Sequence, residues 1–115
     1  MALTIKQGDA YSIPVSATLN GSALNLTDVV MIEFTFGDGK ETIYTRKTFP
    51  EEVTLVEIDG GLWLMVPLTQ EETFAFPAGV AVAMDMRVYF SGGSVKGAKK
   101  MQYITVLDAL SEEVL

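Results

Sequence analysis

Gly37-Asp38-Gly39-Lys40-Glu41-Thr42 combines glycines, a lysine and a hydroxyl in the manner of a loop that cradles phosphate. The spacing is wrong for that chemistry, because four residues should separate the glycines and a Ser or Thr should follow the lysine directly to hold magnesium. A hairpin turn with solvated charges accounts for the same residues. Three carboxylate neighbours, Glu51-Glu52, Glu71-Glu72 and Glu112-Glu113, invite an acid–base or calcium reading. Adjacent residues on a strand point to opposite faces, and none of these has the spacing of a calcium loop, so solvated carboxylates are expected and no metal site. Lys96, Lys99 and Lys100 form the one basic cluster, without aromatic neighbours placed for base stacking. It reads as a charged loop or edge guard.

What the chain lacks narrows the field further. With no cysteine there are no disulfides, no thiolate nucleophile and no thiolate metal ligand; with no histidine the commonest general base and metal ligand is missing. Serine nucleophiles would need lysine as base, and no Ser-x-x-Lys motif occurs. No enzymatic role and no cofactor are therefore expected. A formal charge of −7 repels phosphate backbones and anionic lipid, so neither nucleic acid nor a membrane surface is an expected partner. Residues 1–9 have neither a basic n-region nor an apolar h-region, and the apolar run at 78–84 falls far short of the about 20 residues of a span. The expectation is a protein made and kept in the cytoplasm unless it leaves by lysis or as part of a particle.

Surface recognition is the capability left, and the elements decide which surface. In residues 62–68, Leu62, Leu64, Val66 and Leu68 share one face of a period-2 pattern and Trp63, Met65 and Pro67 the other. If the leucine face is the core, Trp63 and Met65 stand outward, a combination enriched at protein interfaces. The alternative has Trp63 covered by the chain near Phe74 or by the acidic tail. Residues 80–90 alternate too, with Val80, Val82, Met84, Met86, Val88 and Phe90 opposite Ala81, Ala83, Asp85, Arg87 and Tyr89. Between these strands Thr69-Gln70-Glu71-Glu72 has the spacing of a capping box, and Pro77 and Gly79 keep the helix to about one turn. Residues 29–36 form a third core strand with Val30, Ile32, Phe34 and Phe36 inward. The returning strand at 42–49 interleaves Arg46 and Lys47 with apolar residues and is expected to be the more solvated.

In the strand at 11–19, Pro14 cannot donate to a ladder, which places it at a sheet edge or beside a bulge; Asn20-Gly21 then marks a hairpin. Further strands are expected at 53–58 and 101–107, with 95–100 irregular. About seven to eight strands with turns between them define an all-β fold, an immunoglobulin-like antiparallel β-sandwich with one short helical turn near 70–75; a partly closed β-barrel is the alternative. A single domain over 1–107 and a tail over 108–115 complete the reading.

The succession Ile5-Lys6-Gln7-Gly8-Asp9, Leu24-Asn25-Leu26-Thr27-Asp28, the strand at 30–36, Leu68-Thr69-Gln70-Glu71-Glu72-Thr73, Gly79 before a long strand, and Ile104-Thr105-Val106 resembles small β-sandwich proteins of bacteriophage tails. It is similar in particular to the N-terminal immunoglobulin-like domain of the phage baseplate upper protein family. The resemblance implies a structural subunit of a virion or prophage that docks on other virion protein subunits, or on copies of itself, and catalyses nothing. In that family further segments carrying attachment follow the domain, whereas this sequence stops at Leu115, so an accessory, adaptor or head-decoration role is as admissible as a baseplate one. The competing expectation is a stand-alone carbohydrate- or peptide-binding module, with Trp63, Tyr44 or Tyr89 as stacking surface.

Overall fold

The computed structural model describes residues 3–109. Eleven strands build the domain: β1 (Leu3–Lys6), β2 (Tyr11–Ser16), β3 (Thr18–Leu19), β4 (Ser22–Ala23), β5 (Val29–Gly37), β6 (Ile43–Phe49), β7 (Thr54–Ile58), β8 (Gly61–Leu68), β9 (Ala81–Phe90), β10 (Val95–Gly97) and β11 (Gln102–Leu107). A 3-10 turn, Leu26–Asp28, precedes β5, and one α-helix, α1 (Gln70–Ala75), follows β8. The count exceeds the expected seven to eight because short pieces are separate strands. β3 and β4 form the Asn20-Gly21 hairpin, and the expected irregular stretch at 95–100 begins with β10, which pairs with β9 through Val95↔Tyr89 and Gly97↔Arg87.

The strands form an all-β sandwich. One sheet runs β1-β11-β9-β5-β6, with β10 also on β9, and the other runs β2-β8-β7. That is the strand order of an immunoglobulin-like sandwich, the second, fifth and sixth of the long strands forming the smaller sheet. β1 joins its sheet parallel to β11, Leu3↔Ile104 to Lys6↔Leu107, while the other pairs are antiparallel. β2 lies at a sheet edge, as Pro14 requires. No barrel closes.

The inner faces make one core, with Ile13, Val15, Ile32, Phe34, Phe36, Leu64, Val66, Val82, Val88, Ile104 and Val106 buried. Three residues expected inside are not. Val30 is 60% exposed because the register slips between Val29 and Met31, a bulge that turns it outward. Leu62 and Val80 are 42% and 53% exposed, Leu62 at the end of β8 that overhangs the core and Val80 just before β9 starts.

The capping box forms as the spacing predicts: the Glu72 N–H donates to Thr69 Oγ1 at 3.2 Å and the Thr69 N–H to Glu72 Oε1 at 2.9 Å. Phe76 ends the helix and plugs the core against Phe36 and Tyr44, ring centroids 6.0 and 5.8 Å away. Thr73, fully buried, accepts from the Gly8 N–H at 2.9 Å, and its hydroxyl is shared between the carbonyls of Asp9 and Gln70. The corner therefore ties the β1–β2 turn to the passage from one sheet to the other.

Candidate functional site

β8 settles which face is wet. Leu64, Val66 and Leu68 are buried, so Trp63, Met65 and Pro67 point out of the sandwich, each half-buried. The sequence leaves open a cover from the chain near Phe74, but that ring packs over Gly8, where an added Cβ would meet it at 2.6 Å. The other proposed cover, the acidic tail, lies outside the described residues from 110 on.

β8 is the central strand of its sheet, flanked by β2 and β7. The neighbours of Trp63 are Ser16 and Val56, those of Met65 are Pro14 and Thr54, and Ser12 lies beside Pro67. With Ile58 and Gly61 they complete the outward positions of the three strands, and none is charged. The outer face of the larger sheet differs. There Glu33 pairs with Arg46 at 3.6 Å and sits opposite Arg87, whose guanidinium a hydrogen bond with Tyr89 pushes above its ordinary value, Glu33 and Asp85 adding to the effect. In a chain of net charge −7, one sheet displays its charges and the other displays a tryptophan, a methionine and two prolines.

Trp63 also borders a cleft of about 300 Å³ between β2 and the β1–β11 edge, lined with Leu3, Pro14 and Tyr103 among others. Tyr103, 55% exposed, is the aromatic that shares this cleft; nothing in the sequence brings it next to Trp63, since the two lie on different sheets. Tyr44 and Tyr89 are elsewhere. The first packs on Phe76 in the interior, and the second stands beside Arg87 on the opposite sheet.

The glycine loop is closed to phosphate by its own side chain. Asp38 Oδ1 accepts from the N–H groups of Lys40, Glu41 and Thr42 at 2.8, 3.0 and 3.0 Å, so the amides that would cradle an anion already hold one. Those bonds, that of Lys40 foremost, hold the Asp38 carboxyl below its usual value. Lys96 lies over the Phe90 ring at 5.9 Å, and the backbone N–H of Lys99 donates to Asn20 Oδ1 at 2.9 Å, which ties the segment after β10 to the Asn20-Gly21 turn.

One charged arrangement escapes the sequence. Lys47, expected to be solvated, is 8% exposed and points inward beside Phe34. Its Nζ lies 2.8 Å from Glu72 and 3.7 Å from Glu52, and Thr45 donates to Glu72 at 2.6 Å. Burial raises the Glu72 pKa, but the hydrogen bonds from Lys47, Thr45 and Thr69 and the Lys47 charge outweigh it, and the carboxyl stays below its ordinary value. Strand alternation carried the signal: Arg46 and Lys47 are adjacent and cannot both face water.

Among the described residues no three Asp or Glu side chains gather as metal ligands, and no helix is long and apolar enough to cross a membrane. No protein-family model matches the sequence, and no curated protein matches it closely enough to indicate a relative.

Proposed function

We propose that this domain is an assembly module, a non-catalytic subunit of a phage or prophage virion that holds other protein subunits through the outer face of β2, β8 and β7. Tail, baseplate and accessory positions are all compatible with this reading, as is synthesis in the bacterial host cytoplasm before incorporation. The observation that carries it is the contrast between the sheets: charges on one outer face, and Trp63, Met65, Pro14 and Pro67 with no charge on the other. Large aromatic anchors dominate interface energetics, so Trp63→Ala is expected to weaken partner or self binding by about 2 kcal/mol and leave the melting temperature nearly unchanged. Virions purified on a density gradient from an induced lysogen carrying the gene should contain the chain, and the Trp63→Ala form should be depleted from them. Particles that lack the wild-type chain would end the virion reading.

The cleft between Trp63 and Tyr103 favours one second reading, a binding module for a sugar ring or an apolar peptide side chain. A glycan array and a peptide library, with chemical shifts of the Trp63 indole as readout, separate the two: ligand shifts that Tyr103→Ala abolishes would favour the module over the subunit.

A further inference from the structure

We propose that β7 is a dimerisation edge, at which a second copy of this chain adds its own β7 antiparallel and extends the three-stranded sheet to six. This rests on the assembly reading above but names a different surface, the strand edge in place of the sheet face. Among the described residues the other free edges of the two sheets are guarded: β1 ends in Lys6, β2 carries Pro14, β6 carries Arg46 and Lys47 with Tyr44 inserted as a bulge, and the short β10 carries Lys96. β7, Thr-Leu-Val-Glu-Ile, has no lysine, no proline and no register slip against β8.

Which backbone groups it offers follows from its hairpin. Asp59 and Gly60, with φ of 51° and 80°, form the two-residue turn, so the closing pair Ile58↔Gly61 is hydrogen-bonded, as are Val56↔Trp63 and Thr54↔Met65. Leu55 and Glu57 then aim their N–H and C=O groups away from β8. The Leu62 carbonyl agrees: opposite Glu57, it turns to the other side and accepts from the Ala17 N–H at 3.1 Å.

Two such edges are self-complementary about a two-fold axis at Val56. Leu55 of each copy exchanges both backbone bonds with Glu57 of the other, Val56 meets Val56, and Thr54 meets Ile58. The outward positions on both sides of the seam are uncharged, so the joined sheet presents one continuous face with a Trp63 in each half. The two Glu57 carboxylates lie diagonally across the seam and oppose the contact, which makes association stronger with salt or on removing the charge.

The test is sedimentation of the intact chain with amide exchange by NMR. Wild type is expected to associate reversibly, with the Leu55 and Glu57 amides exchanging at least tenfold more slowly at high than at low concentration, while the Val56 amide stays protected in both. Glu57→Pro removes a donor that the β7–β8 ladder does not use, so it should raise the dissociation constant at least tenfold with little change in melting temperature; Glu57→Gln should lower it. A wild type that stays monomeric at millimolar concentration would overturn the inference, as would concentration-independent exchange at Leu55 and Glu57. Should Glu57→Pro fail to fold, the exchange measurement on wild type decides alone. A dimer lost in Trp63→Ala but kept in Glu57→Pro would overturn the edge and leave the face reading standing; the reverse pattern would support the edge and remove Trp63 from the contact.

Discussion

With a side chain only 10% exposed, Lys47 depends on Glu72 at 2.8 Å for its charge to be tolerated between the sheets. Lys47→Met keeps the volume but strips Glu72 of its cation. Breaking a fully buried pair costs about 3–5 kcal/mol; here about 2 kcal/mol is expected at pH 7, because Glu72 keeps Thr45 and Thr69 as donors and some solvent contact. Since the folded pKa of Glu72 lies below its ordinary value, its contribution is complete above the ordinary carboxylate range and is lost as pH falls through the lower, folded value. Urea unfolding at pH 7 and in the acid range should show the gap between wild type and Lys47→Met closing as pH falls; a constant gap would remove the ion pair as its cause. At this scale the sequence is a partial guide. That Trp63 and Met65 share a face follows from alternation alone, whereas which face is outer, the burial of Lys47 and the Trp63–Tyr103 cleft depend on which strands face one another, and that is decided by pairings tens of residues apart.

Among the elements, α1 was the most legible, because a capping box is a local contract between four consecutive residues. Thr69→Ala should cost about 1 kcal/mol in chemical denaturation, by leaving the Glu72 amide without its acceptor. The core strands were legible for a similar reason, each carrying its own period of two. Phe34, with no exposed surface on β5, should cost about 3–5 kcal/mol as Phe34→Ala, against less than about 1 kcal/mol for Val30→Ala next to the bulge. Equal losses at the two positions, read from melting curves, would contradict the strand faces. What alternation could not supply was sheet membership: the strand with Trp63 is central in its sheet, and the exposed edge belongs to its neighbour β7.

For the whole molecule, the fold class was readable while the division of labour between the two sheets was not, because charge placement on an outer face shows only once the strands are assembled. The parallel pairing of β1 with β11 carries a mechanical consequence. The chain enters the sandwich beside Ile104 and leaves it beside Lys6, at opposite ends of the same ladder. Tension applied between Leu3 and Leu107 therefore loads the whole row of β1–β11 hydrogen bonds at once, in shear, where a pull across a hairpin such as β9–β10 would part its bonds one after another. In single-molecule stretching the β1–β11 ladder, held by Leu3 and Leu107, is expected to yield at a markedly higher force than the β9–β10 hairpin held at its open end by Arg87 and Gly97. A load that enters at Leu3 and leaves at Leu107 is thus passed along the ladder without opening the sandwich.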